Sequence, residues 1–235
     1  MEPSTALEIV ATSGRCARTA TAAGADRLEA CEALELGGIT PGPEVLDDIL
    51  EHRPALGVHA LLRSRPGDFH YEDAELWVME RQARRLARSG VDGLVLGALD
   101  TGSAVDLEAV ARMAAAGLEV NPELEITMHR AIDASADPVA SVTQLLALGI
   151  HRVLTSGGRD AAGEGLEVIA RMAKAAAGRI QIMAGGGMRE QDIGPARGAG
   201  ATAVHFSAKT HYAGTIRVSE QQVRQLRSTL NALTK

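Results

Sequence analysis

Carboxylate and imidazole side chains recur in short, otherwise apolar segments of this chain. Glu8 lies in the segment LEIV, Glu29 in RLEAC, His129 at the end of EITMH and His205 in AVHFS. Carboxylates and imidazoles are the side chains that most often transfer protons in enzymes. The candidate catalytic residues are therefore Glu29, His129 and His205.

Arginines accompany these acid–base candidates and predict an anionic ligand. The planar guanidinium group binds a carboxylate or a phosphate through two parallel hydrogen bonds. Asp133 stands where it could orient the His129 imidazole or pair with Arg130, and glycine and serine residues near the same segments offer further donors. The candidate ligand-binding residues are Glu8, Arg27, Arg63, Arg65, Asp68, Arg130, Asp133, Ser156, Gly185, Gly186 and Ser207.

Short β-prone segments alternate with longer helix-prone segments along the whole chain. The pattern predicts strands at residues 7–12, 27–31, 57–62, 93–97, 125–129, 152–155, 179–184 and 203–207. It predicts helices at residues 16–23, 43–52, 73–88, 106–115, 138–148, 165–177, 190–197 and 219–233. Eight βα units without a long linker indicate an α/β protein, a (β/α)8 TIM barrel, in a single domain of residues 1–235. A doubly wound sheet is the alternative, but the first turn, TSGRC, lacks the GxGxxG pattern.

Alternation along the predicted strands places charged side chains inside the barrel. Successive strand residues face opposite sides. If Leu28 and Ala30 face the helices, then Arg27, Glu29 and Cys31 point inward, and the same rule turns Glu8, Arg63, His129 and His205 inward. One interpretation is a buried network of ion pairs, because unpaired charges are costly away from water. The other is a polar pocket at the carboxyl ends of the strands, where barrel sites lie and where the 185–187 Gly-Gly-Gly turn could present amides to a phosphate. Both can hold together.

Composition narrows the classes of partner. The net charge is −6 and aromatic residues make up 2% of the chain, which argues against the basic, aromatic surfaces that bind nucleic acids. No run of 18 apolar residues predicts a membrane span. Residues 1–6 lack the features of a secretory signal, and Cys16 and Cys31 are the only cysteines. Two thiols in a chain of this size are typical of a reducing compartment, so we expect a cytoplasmic protein.

Several short motifs in a fixed order resemble the CutC copper-homeostasis family from residue 7 to about residue 209. The matching segments are GADRLEAC with GGITP, RSRPGDF, GVDGLVLG, HRAID, LTSG, AGGG and HFSA. The resemblance implies a cytoplasmic barrel that forms a homodimer and is linked to copper tolerance, with copper(I) binding proposed for some members. The family usually has RPRGGDF where this chain has RSRPGDF, and some members carry a cysteine where this chain has Val10.

The nature of the ligand stays open between copper and an organic anion. Copper(I) prefers two or more soft ligands. Cys31 is the candidate metal ligand, with His129, His205 and Met183 as further donors, and no CxxC or Met-rich motif accompanies it. The alternatives are an isomerase, epimerase or carbon–carbon lyase that acts on a small phosphorylated or carboxylated metabolite, and a non-catalytic sensor of such an anion.

Overall fold

Eight parallel strands close into a barrel in the computed structural model, which describes residues 5–233. Each strand pairs with its neighbours in sequence, and β1 pairs with β8 to close the sheet. The predicted (β/α)8 TIM barrel is therefore confirmed, while residues 1–4 and 234–235 of the predicted domain lie outside the described residues. The strands are Ala6–Ala11 (β1), Arg27–Ala30 (β2), Val58–Leu61 (β3), Gly93–Leu96 (β4), Glu125–Met128 (β5), Arg152–Thr155 (β6), Gln181–Gly185 (β7) and Ala203–Phe206 (β8).

Helices follow the strands and begin at residues that suit a helix start. Ser13 and Asp137 accept hydrogen bonds from amides of the first turn, and Glu72 and Glu75 form a capping box. The C-terminal helix, predicted at 219–233, runs from 220 to 232. The helices are Gly14–Ala22 (α1), Pro43–Leu50 (α2), Asp73–Arg88 (α3), Leu107–Leu118 (α4), Pro138–Leu145 (α5), Leu166–Ala176 (α6), Ile193–Gly198 (α7) and Glu220–Ala232 (α8). Among residues 5–233, no helix combines the length and the hydropathy needed to cross a membrane.

A β-hairpin between β8 and α8 is absent from the sequence-based assignment. Its strands are Lys209–Tyr212 (β9) and Thr215–Val218 (β10), and they pair antiparallel. The connecting Ala213 and Gly214 both have positive φ, 49° and 77°, as a tight two-residue hairpin turn requires. Alanine rarely adopts this conformation, so an Ala-Gly pair is a weaker sequence signal for a hairpin than an Asn-Gly pair.

The predicted alternation of side chains agrees with the packing. Leu7, Ile9 and Leu28 lie in the large apolar core between strands and helices. The barrel interior holds two smaller apolar clusters instead. One consists of Ala6, Leu154, Met183 and Ala203, and the other of Val10, Cys31, Leu61 and Val95.

Charged residues fill the amino-terminal part of the barrel interior. Arg152 is buried and donates to the Glu125 carboxylate at 2.7 Å, to the Thr127 hydroxyl at 3.0 Å and to the Gln181 side chain. His59 lies beside it, 3.5 Å from the same guanidinium group, and burial lowers the pKa of His59 to about 3. A buried ion network is thus present, and its Arg152 and His59 members were not among the predicted site residues.

Candidate functional site

A cavity of about 370 Å³ lies at the carboxyl ends of the barrel strands. Its wall combines apolar side chains such as Leu61, Phe69 and Leu154 with a comparable share of charged and polar groups. Concave sites that join apolar walls to placed polar groups are typical of small-molecule binding. The predicted site residues that line it are Glu29, Arg63, His129, Arg130, Gly186, His205 and Ser207.

Glu29 and His205 form an acid–base pair in the cavity wall. His205 Nε2 lies 3.8 Å from a carboxylate oxygen of Glu29. Glu29 is only 7% exposed, and its carboxyl group forms no hydrogen bond with any residue in the described part of the chain. Burial, with the nearby negative charge of Glu8 as a further contribution, raises the pKa of Glu29 to about 7, while the His205 charge opposes this shift. Glu29 can therefore both give and take a proton near neutral pH.

Glu8 lies behind this pair and holds the imidazole in place. A Glu8 oxygen lies 2.7 Å from His205 Nδ1, and its other oxygen accepts from Arg27 Nε at 2.5 Å. Burial opposes ionisation of Glu8, yet Arg27 and His205 hold its pKa well below the usual value. Burial also works against a charge on His205, but the Glu29 and Glu8 carboxylates raise the His205 pKa. Glu8 and Arg27 thus support the site from beneath without lining the cavity.

His129 has a different environment from His205. Its Nδ1 accepts a hydrogen bond from the Ala131 amide at 3.2 Å, and its ring packs against Phe69 with a centroid distance of 5.0 Å. Burial, together with the Arg63 charge, lowers the pKa of His129 to about 3. The expectation that both imidazoles shuttle protons suits His205 and does not suit His129, which stays neutral at physiological pH.

Arg63 enters the cavity wall as an anchored cation. Its terminal nitrogens donate to the carbonyl oxygens of Gly38 at 3.0 Å and Gly67 at 2.6 Å, so the loops after β2 and β3 are tied together. The Arg63 guanidinium carbon lies 5.0 Å from the centroid of Phe69. The guanidinium group that the sequence predicts to bind a ligand is thus largely engaged with backbone carbonyl groups. Arg63 therefore contributes chiefly its positive charge to the cavity.

Arg130 presents a free amino group to the cavity. Asp133 accepts from its Nε at 2.9 Å, and Ser156 Oγ accepts from its Nη2 at 3.0 Å. Its Nη1 has no hydrogen-bond partner among residues 5–233. Gly186 makes this placement possible, since a Cβ there would lie 2.6 Å from the guanidinium carbon of Arg130. Asp133 pairs with Arg130 rather than orienting His129, and it also accepts from the Ser156 and Gly158 amides.

Besides Glu8, Arg27 and Asp133, four predicted ligand-binding residues lie outside the cavity wall: Arg65, Asp68, Ser156 and Gly185. Arg65 pairs with Asp68 at 3.0 Å and with Glu75 at the start of α3, because the 64–68 turn directs it outward. Ser156 is fully buried among its hydrogen bonds. Gly185 leaves room for His205, whose Cβ would lie 2.9 Å from a Cβ at that position.

Lys209 is a cavity residue that the sequence-based set misses. It lies at the start of the β9–β10 hairpin and forms no ion pair with the described residues. Phe69, Met188 and Gln222 also line the cavity. Phe69 lies in the RSRPGDF segment, which the sequence analysis names. Lys209 and Gln222 could not be predicted, because no local sequence pattern shows that the hairpin and α8 approach the open end of the barrel.

Cys31 lies in an apolar environment that does not suit a copper(I) thiolate. It is 1% exposed and packs with Val10, Leu61 and Val95. Burial, and then the Glu29 charge, raises the pKa of the Cys31 thiol well above its usual value. Within the described residues, the groups of His, Cys, Asp and Glu close enough to share a metal ion do not include Cys31.

Sequence comparison assigns the chain to a family. The CutC family model matches residues 5–210. The chain belongs to the CutC family. A CutC family protein of Xanthomonas axonopodis pv. citri (strain 306) is 42% identical over 222 residues, which cover 94% of this chain and 90% of the relative. The human copper homeostasis protein cutC homolog is 39% identical over 205 residues, covering 87% of this chain and 73% of the relative.

The crystal structure of the copper homeostasis protein CutC from Streptococcus agalactiae has the same barrel. It superposes with a TM-score of 0.78 at 29% identity and covers 86% of this chain and 98% of that chain. In this CutC family member, the apolar residue Val10 packs beside Cys31.

Proposed function

We propose that this CutC family protein is an enzyme that transfers a proton on a small anionic metabolite, with isomerase-type or lyase-type chemistry. The observation that carries the proposal is the Glu29 carboxyl group. It is buried in the wall of a ligand-sized cavity, has no hydrogen-bond donor of its own among residues 5–233, and lies 3.8 Å from His205. Buried carboxylates with a strongly raised pKa beside an imidazole are typical of acid–base sites.

The anionic character of the substrate follows from the cations of the same cavity. Arg63, Arg130 and Lys209 all line it, and the Nη1 group of Arg130 and the ammonium group of Lys209 have no partner within the described chain. A carboxylate or phosphate group placed between them would gain charge-assisted hydrogen bonds. The protein as a whole carries a charge of −6, so this local excess of cations favours a small anion over a nucleic acid.

A thermal-shift screen of phosphorylated and carboxylated metabolites tests the proposal. A ligand at a hundred times its dissociation constant adds about 2.7 kcal/mol to the free energy of unfolding. We expect at least one compound to stabilise the wild type and to lose most of this effect on Arg130→Gln. Arg112→Gln, which removes the ion pairs that this α4 residue forms with Asp73 and Glu80 of α3, is the matched control. A ligand that stabilised all three proteins equally would contradict the anion site.

Copper(I) binding is the second candidate function, because the human relative is named a copper homeostasis protein. The apolar surroundings of Cys31 argue against that residue as a ligand, since a neutral thiol binds copper(I) poorly. We therefore expect Cys31→Ser to leave copper(I) affinity unchanged in competition with a chelator. If Cys31→Ser instead abolished stoichiometric copper(I) binding, the result would support copper binding as the function.

A cytoplasmic location is part of the proposal. Cys16 and Cys31 are both buried and unpaired, so neither stabilises the fold through a disulfide. Free thiols of this kind are typical of proteins that act in a reducing compartment.

A further inference from the structure

The imidazole of His129 is a buried hydrogen-bond donor without an acceptor. The residue is 5% exposed, and its ring lines the cavity. Because Nδ1 accepts from the Ala131 amide, the ring proton of the neutral imidazole lies on Nε2. Nε2 has no hydrogen-bond partner among the described residues. A buried donor left without a partner costs free energy, so this group suits an acceptor that a ligand brings.

The surrounding residues hold the His129 ring in one orientation. Phe69 packs on it, and Gly97 allows close approach, since a Cβ at Gly97 would lie 2.7 Å from two ring atoms of His129. The Arg63 guanidinium also lies against Phe69, 5.0 Å from its centroid. A fixed neutral donor beside a fixed cation is a suitable environment for an oxygen atom that gains negative charge.

His129 and the Glu29–His205 pair lie across the barrel from each other. His129 follows β5, whereas Glu29 and His205 come from β2 and β8, which flank β1 in the closed sheet. In an eight-stranded barrel β5 stands opposite β1. His129 and the Glu29–His205 pair therefore line opposite sides of the same cavity.

We propose that the substrate is an anionic carbonyl compound whose carbonyl oxygen accepts a hydrogen bond from His129 Nε2. This inference rests on the proposed proton-transfer function and names its substrate class. In the step we envisage, the Glu29 carboxylate takes a proton from the carbon next to the carbonyl group. The C–H electron pair forms the new C=C bond, and the C=O π pair moves to oxygen as an enolate. Glu29 then returns the proton to the substrate, so no oxidant or other reactant is consumed.

Two anions serve as probes, inorganic phosphate and phosphoglycolohydroxamate, which adds an enolate-like hydroxamate to a phosphate group. In protein labelled with 15N-histidine, we expect the hydroxamate to move the Nε2–H signal of His129 downfield and phosphate to leave it in place. The signal is assigned by its loss in His129→Gln. The shift itself is read on the wild-type protein, and the variant serves only to assign the signal.

Affinities of two variants give the independent test. His129→Leu removes the donor, whereas His129→Gln keeps an N–H group of similar reach. We expect His129→Leu to weaken hydroxamate binding by roughly tenfold or more and to leave phosphate binding unchanged, with a smaller loss for His129→Gln. Equal hydroxamate affinity in the wild type and His129→Leu, or an unmoved Nε2–H signal, would overturn the inference.

The outcomes separate this inference from the proposed function. Binding of phosphate, together with hydroxamate that did not bind or did not affect His129, would contradict the carbonyl substrate class. The same result would still support an anion-binding site. If neither anion bound, the anion site would be contradicted together with the carbonyl assignment.

Discussion

Burial favours the neutral form of both Glu29 and His129, with opposite consequences for their pKa values. In both cases the neutral form is favoured, so the pKa of Glu29 rises to about 7 and that of His129 falls to about 3. The acid becomes a proton carrier near neutral pH, and the imidazole becomes a permanent hydrogen-bond donor. Both residues were predicted from their types and positions. Their different roles could not be, because each depends on neighbours distant in sequence, such as His205 for Glu29 and Arg63 for His129.

The raised pKa of Glu29 makes a prediction about stability. Between about pH 4.5 and 7 the folded protein binds a proton on Glu29 that the unfolded chain has released. The contribution of Glu29 to the free energy of unfolding therefore falls as pH rises through this window, by at most about 1.4 kcal/mol per pH unit. We expect Glu29→Gln to remove this dependence in urea unfolding measured at several pH values. An unchanged slope in the variant would mean that Glu29 titrates normally.

The lowered pKa of His129 predicts the opposite pH dependence of the free energy of unfolding, in a lower pH range. The unfolded chain binds a proton on this imidazole below about pH 6.5, and the folded protein does not until about pH 3. Stability contributed by the neutral ring is lost as pH falls through that window. His129→Gln should therefore be less sensitive to acid than the wild type in the same unfolding series. Equal acid sensitivity of the two proteins would show that His129 is not held neutral.

At the scale of elements, the loops after the strands carry the site, and their positions follow from the predicted barrel. Gly186 illustrates what the sequence could and could not supply. The triple glycine predicts a sharp turn after β7, and the structure has one, with φ of 92° at Gly186. That the missing Cβ makes room for the Arg130 guanidinium emerges only once the loops after β5 and β7 are brought together. The β9–β10 hairpin and its Lys209 are not predicted, because an Ala-Gly turn is a weak hairpin signal.

Gly186→Ala tests the link between the two loops. The new Cβ would strain a left-handed backbone and displace Arg130 from the cavity, so we expect anion affinity measured by calorimetry to fall. Gly90→Ala is a matched control, because Gly90 has a φ of 84° and no atom within 4 Å of the added Cβ. It should lose similar stability, about 1 kcal/mol, and keep its anion affinity. Equal anion affinities in the two variants would contradict the role of Gly186.

At the scale of the whole molecule, the barrel interior replaces part of the usual apolar packing with paired charges. The Arg27–Glu8 pair links neighbouring strands β1 and β2 and is almost fully buried, at 2% and 1% side-chain exposure. Alternation along the strands predicted these inward charges. It did not predict Arg152 and His59, whose strand segments look ordinary in sequence. The homodimer that the family resemblance implies stays a prediction.

Removing one member of the buried pair should be costly. Glu8→Gln leaves Arg27 charged and without its carboxylate, so we expect a loss of roughly 3–5 kcal/mol in denaturant unfolding. The exposed pair of Glu220 and Arg224 on α8 gives the comparison, and Glu220→Gln should cost at most about 0.5 kcal/mol. Similar losses for the two variants would show that the buried pair is not a structural requirement.

Hydrogen–deuterium exchange into metabolites is the most direct test of proton transfer by Glu29. Wild-type protein is incubated in D2O with a library of small phosphorylated and carboxylated carbonyl compounds, and loss of C–H signals is followed by proton NMR. We expect at least one compound to exchange with the wild type and with Glu220→Gln, and none with Glu29→Gln. Exchange that continued undiminished in Glu29→Gln, or a cavity-bound compound that never exchanged with the wild type, would contradict the proposed chemistry.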